Sequence, residues 1–169
     1  MAHDKDYWVE RLQLQPHPEG GFYRETYRAG LLFPKNSLPE AYGGDRVAST
    51  AIYFLLTGAA FSAFHRIRSD ELWHFYDGSA LIIHVIEPQG HYREIRLGRD
   101  LDRGEAPQAV VPAGCWFGAS LPGKDERDYA LVGCTVAPGF DFTDFEMAQR
   151  EELVEAYPQH INIIEKLTR

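Results

Sequence analysis

The chain has 169 residues, of which 25% are charged and 13% aromatic, and its formal net charge is −8. A chain of this length can bury a core without staples, and an acidic balance argues against nucleic acid as a partner, since phosphate contact needs a basic surface. No run approaches the roughly 18 apolar residues that cross a bilayer, and the opening lacks the positive and apolar regions of a secretion signal, so the expectation is a cytoplasmic protein with no membrane partner.

Tyr7, Trp8, Leu12 and Leu14 give the first segment an apolar side, with Asp4 or Asp6 available as a cap, so a short helix is expected over about 4–14. Pro16 and Pro18 end it, because each pushes the residue ahead of it out of helical conformation. Gly20-Gly21 turns the chain into a first strand, Phe22 to Arg28, with Arg24 and Arg28 on one face. The simplest role for His17 and Glu19 is to shape this turn, with Glu19 capping local amides. Residues 31–46 carry Pro, Gly and Asn with little periodicity and read as a long loop.

Eight strand candidates follow between Ser49 and Ala137, most separated by short turns such as Asp77-Gly78 and Pro122-Gly123. That spacing predicts an all-β sandwich or closed barrel over about 20–138 rather than alternating strands and helices. The run Ala80–Glu87 is apolar on both faces, which predicts cover from the opposite sheet and from a helix or a second subunit, with the face around His84 as a subunit interface. Cys115 and Cys134 lie in apolar strand-like runs and read as buried thiols. After Phe140 the spacing turns helical, over Asp144–Tyr157 with Thr143 or Asp144 as cap, and Pro158 restarts a last short helix; the C-terminal helices cover about 144–167 of one domain spanning 1–169.

The segment His65-Arg66-Ile67-Arg68-Ser69-Asp70-Glu71, closing on Gly78, resembles the first motif of the cupin superfamily, with Ile67 in place of its second histidine. Pro112 and Gly114 match the second motif, with Phe117 at its histidine. The opening Pro16-His17-Pro18-Glu19-Gly20-Gly21 and the strand after it, with Val111-Pro112-Ala113-Gly114-Cys115-Trp116, are similar to a subfamily of bacterial and fungal cupins known as cupin five. The resemblance implies a double-stranded β-helix, the cupin jelly-roll barrel, with short helices at both ends, assembled as a homodimer. It supplies no reaction.

A catalytic metal takes at least three protein ligands, and the resemblance retains two, so no metal and no cofactor is expected. What is left is a histidine–carboxylate pair, His65 and Glu71, in an apolar cavity where environment can move a pKa into a useful range. His74 lies an odd number of residues from Glu71 and should face the other way. The expected site holds His65 and Glu71 as catalytic candidates, with Arg24, Arg66, Trp73, Phe75, Trp116 and Phe117 contacting a small-molecule ligand. Two alternatives stand beside plain binding. A weaker resemblance to the metal-free deoxysugar-nucleotide 3,5-epimerases implies an isomerase or epimerase of a sugar-nucleotide-like or other anionic substrate, with His65 as base and Tyr53, Tyr76 or Tyr129 as acid. The other is a metal-dependent cupin enzyme.

Overall fold

Alternation along the central strands sends one set of side chains inward and the next outward, and this builds two facing sheets. The computed structural model describes residues 3–169. A first helix α1 (Lys5–Arg11) leads to the short strand β1 (Gln15–Pro16) and to β2 (Phe22–Arg28). A two-residue ribbon, β3 (Leu32–Phe33) and β4 (Arg46–Val47), brackets the loop expected over 31–46. Then come β5 (Thr50–Thr57), β6 (Phe61–Arg66), β7 (Asp70–Gly78), β8 (Leu81–Ile86), β9 (Tyr92–Leu97), β10 (Gln108–Val111), β11 (Trp116–Ser120) and β12 (Tyr129–Ala137). The chain ends with β13 (Glu146–Met147), α2 (Arg150–Ala156) and α3 (Ile161–Lys166).

One sheet has the order β1-β2-β5-β12-β7-β10 and the other β13-β6-β11-β8-β9, with antiparallel neighbours throughout. This is the expected jelly-roll barrel. Phe54 and Leu56 of β5, Trp73 of β7, Ile83 and Val85 of β8, Phe117 of β11 and Val132 of β12 fill the space between the sheets. Asp4 caps α1 by accepting from the Tyr7 amide at 2.9 Å, and Trp8, Val9 and Leu12 lie against Leu55 and Leu131 on the outside of the first sheet.

The outer face of the second sheet is covered by the same chain. Phe64, Ile86 and Trp116 pack against Leu153, Ile164 and Leu167 of the C-terminal segment. His84, expected at a subunit interface, is buried at 2% exposure within this one chain. The Tyr92 hydroxyl donates to Glu94 at 2.9 Å, so its oxygen accepts from His84 Nδ1 at 2.7 Å, and Ser120 Oγ completes the ring's partners at 2.9 Å. Burial holds this imidazole down at about 4, so it stays neutral.

The helix expected from Asp144 begins only at Arg150. Tertiary partners claim the residues before it. Arg46 donates to both carboxylate oxygens of Asp144 at 2.7 Å, in a pair whose side chains are 5% and 6% exposed. Arg66 takes Glu146 through two bonds at 2.7 and 3.1 Å, which holds β13 beside β6. The segment from Gly139 to Phe145 is thereby strapped across one end of the barrel. Removing one partner of a buried ion pair leaves the other charge uncompensated. Asp144→Ala is therefore expected to destabilise the fold by about 3 kcal/mol, measured as a lowered midpoint in urea unfolding.

Candidate functional site

Beneath that strap lies a cavity of about 660 Å³ that reaches in between the sheets. Tyr23, Arg24, Glu25 and Arg28 of β2 form one wall, and Phe140, Asp141, Phe142 and Phe145 of the strap form the opposite one. His65 of β6 comes from the second sheet, while Glu71 of β7 and Cys134 of β12 come from the first. His17 and Glu19 enter from the turn ahead of β2.

That turn is built by its glycines. Gly20 and Gly21 sit at φ +115° and +77°, and a Cβ on them would collide with the carbonyls of Phe61 and Leu55 respectively. The close approach lets the Glu19 carbonyl accept from the Ala63 amide at 2.8 Å, which fastens the turn to β6. The Glu19 side chain then meets His65, with Oε2 at 2.9 Å from Nε2. On the other side of the ring, Nδ1 lies 2.7 Å from the Ala63 carbonyl. A carbonyl only accepts, so Nδ1 carries a proton, and a carboxylate facing Nε2 places a second one there. His65 is thus an imidazolium held between two acceptors and buried at 3% exposure.

The electrostatics follow this geometry. Burial alone would push the His65 pKa down, but the Glu19 charge and hydrogen bond outweigh it and hold it raised. Burial would push Glu19 up, and the charge and hydrogen bond of His65 pull it below its ordinary value. Glu71 has no such partner. Its burial, with the Glu19 charge acting in the same direction, outweighs the attraction of His65 and raises it from 4.5 to about 7. The Cys134 thiol lies beside Glu71 in the cavity lining and is itself pushed far up by burial.

His17 is a second histidine of different character. The Glu19 amide donates to its Nδ1 at 3.2 Å, so Nδ1 is unprotonated and the ring's proton sits on Nε2. Burial lowers its pKa and keeps it neutral. Three cations, Arg24, Arg28 and His65, line the cavity with three anions, Glu19, Glu25 and Asp141, leaving Glu71 as the group that sets the balance. Arg28 is spent on Glu25 through two bonds at 2.9 Å, while Arg24 donates to the Leu12 carbonyl at 3.1 Å.

Of the residues singled out from sequence, His65, Glu71 and Arg24 line the cavity. The other five lie elsewhere. Arg66 points outward, stacked 4.4 Å over Trp116 and bonded to Glu146. Trp116 itself packs in the cluster under the C-terminal helices. Trp73, Phe75 and Phe117 belong to the core one layer deeper, with Phe117 4.1 Å from the His65 ring. Tyr53, Tyr76 and Tyr129 are not among the lining residues, whereas Tyr23 is. His74 bonds Thr135 and Gln108, away from Glu71.

The metal that many cupin barrels hold does not fit this residue set. Both nitrogens of His65 carry protons and have no lone pair to give, and Ile67 and Phe117 fill core space at the other ligand positions. Among the described residues, no group of three or more His, Cys, Asp or Glu is arranged to hold an ion.

A carboxyl raised on folding contributes most below its unfolded pKa, and that contribution is lost as pH rises through its folded one. For Glu71 the window runs from 4.5 to about 7. Glu71→Gln is therefore expected to stabilise the protein at about pH 8.5, on the order of 3 kcal/mol. Wild type and variant should converge near pH 4.5 in thermal unfolding.

Likenesses to known proteins bear on this geometry. A family model described as Cupin superfamily (DUF985) matches residues 6–148. The chain is 30% identical to the uncharacterized protein YML079W of Saccharomyces cerevisiae, over 85% of this chain and 75% of that one. It is 40% identical to the solved structure of protein SO0799 from Shewanella oneidensis, with 99% of each chain covered and a TM-score of 0.88. A hypothetical protein from Leishmania major is 39% identical, with 98% and 99% covered and a TM-score of 0.89. Oxalate decarboxylase from Bacillus subtilis shares the fold alone, at 12% identity and a TM-score of 0.53 over 90% of this chain and 36% of that one. With barrel, glycine turn and family model in agreement, this chain belongs to the cupin superfamily, in its DUF985 family.

Proposed function

We propose that this cupin binds a small polar molecule in the cavity beneath the strap and moves a proton to or from it through Glu71, as an isomerase or epimerase would. One observation carries the reading: a buried carboxyl whose pKa stands at about 7 faces the cavity beside a fixed imidazolium–carboxylate pair. A proton-transfer group works best when its pKa lies near the working pH. His65 serves differently from the base anticipated from sequence. With both nitrogens tied to acceptors it holds a positive charge next to Glu71, which steadies the carboxylate form without competing for the substrate's proton. The near balance of charge around the cavity favours a ligand that is neutral or singly charged, with Arg24 at the wall for one anionic group.

The test starts with protein purified without added ligand, from which denaturation releases any bound metabolite for mass spectrometry. The released compound is then returned to wild type and to Glu71→Gln. Wild type is expected to convert it, and the variant to bind it while turning over about 100-fold more slowly. Turnover by Glu71→Gln at the wild-type rate removes Glu71 from the chemistry. A compound that wild type holds without altering reduces the site to a binding pocket.

A further inference from the structure

His17 takes no part in the proton transfer proposed for Glu71, yet it lines the same cavity and its ring is fixed by its neighbours. Its ring lies edge-on to Tyr23 at 4.5 Å and to Phe54 at 5.9 Å, and its side chain is 7% exposed. The donated bond from the Glu19 amide fixes the tautomer. Nδ1 faces the ring's own loop, which leaves the Nε2–H edge for the cavity that His17 lines. Among the described residues that N–H has no hydrogen-bond partner. It is not among the fully buried orphan polar atoms, so it is open to the cavity, where the acceptor of a bound ligand can meet it.

We infer that His17 is a second catalytic group, donating a hydrogen bond from Nε2 to a carbonyl oxygen of the substrate, and that the substrate class is a small neutral hydroxycarbonyl compound. This rests on the reading of Glu71 given above. The Glu71 carboxylate takes a proton from the carbon next to the carbonyl. The C–H electron pair becomes the C=C bond of an enolate, and the carbonyl π pair moves to the oxygen that His17 faces. Return of a proton from the Glu71 carboxyl to carbon regenerates the carbonyl, with no other reactant consumed. A neutral imidazole suits this role, because a donor placed where charge develops is most effective when it need not reorganise. Glu19 ties these parts together, since its backbone amide sets His17 and its carboxylate sets His65.

The experiment follows solvent exchange on the full chain. Hydroxyacetone, dihydroxyacetone and erythrulose are incubated in deuterated water, and loss of the C–H signal beside the carbonyl is read by proton NMR. Wild type is expected to accelerate exchange of at least one of the three above the protein-free rate. His17→Phe keeps the ring and removes the donor, and should slow the catalysed rate about 100-fold. His17→Gln returns an N–H near the Nε2 position and should recover part of it. Nitrogen-15 spectra of the wild-type histidines should show His17 protonated at Nε2 alone, a reading that needs no variant to fold. Exchange by His17→Phe at the wild-type rate, or a proton found on His17 Nδ1, overturns the role of His17. Absence of exchange with all three compounds overturns the substrate class. Full exchange by Glu71→Gln together with a failed His17→Phe sinks the reading of Glu71 and leaves His17 standing.

Discussion

The ion pair between Glu19 and His65 is the interaction on which the cavity depends. Two charges are removed from water there, and a buried pair is tolerable only when the remaining hydrogen-bonding capacity is met with good geometry. The Ala63 carbonyl meets it for the ring, and the turn that carries Glu19 is itself fastened to β6 by the bond from the Ala63 amide to the Glu19 backbone carbonyl. The C-terminal residue joins in from outside, where Arg169 donates to the carbonyls of Pro18 and Glu19 at 3.2 and 3.1 Å. The backbone of the turn is thus clamped from both sides. Everything the cavity does electrically is referred to this fixed positive ring and its negative partner.

Glu71 takes its character from what the pair leaves over. It is near enough to His65 to feel its attraction and near enough to Glu19 to feel repulsion, and with neither a cation nor a backbone amide of its own it settles near neutrality. His17 shows the opposite outcome from similar burial. A neutral imidazole is the form that desolvation favours, and a single backbone donor is enough to choose the tautomer. One short turn therefore supplies both a charged and an uncharged histidine environment.

The barrel was legible in the sequence because period-two alternation and turn glycines are local signals, and β5 through β12 carry both. The cavity was less so. Glu19 and His65 are far apart in the chain, and the local signals of the turn that joins them are those of an entry to β2, which it also is. A histidine and a glutamate two residues apart, set between prolines and paired glycines, was the signal available for this part of the site. Alternation accounts for the outward direction of two of the expected site residues. With His65 directed inward, its neighbour Arg66 had to face out, and with Phe117 paired opposite His65, Trp116 had to do the same. Trp73 and Phe75 share the inward direction of Glu71 but not its layer, and depth within a barrel is not encoded in a two-residue period. The helix over 144–157 was shortened by Arg46 and Arg66, whose claims on Asp144 and Glu146 are tertiary and leave no local trace.

His65 and Glu71 belong to opposite sheets, and the layer of Phe54, Trp73 and Phe117 stands between those sheets as a spacer. The protonation of Glu71 is therefore tied to the thickness of the barrel. Coulomb interaction changes steeply over short distances where water is absent. A core side chain that moved the sheets by a fraction of an ångström would reach the cavity as a change in voltage, with no contact to anything bound there. The aromatic layer that closes the core therefore also spaces the charges that trim the burial-raised pKa of Glu71.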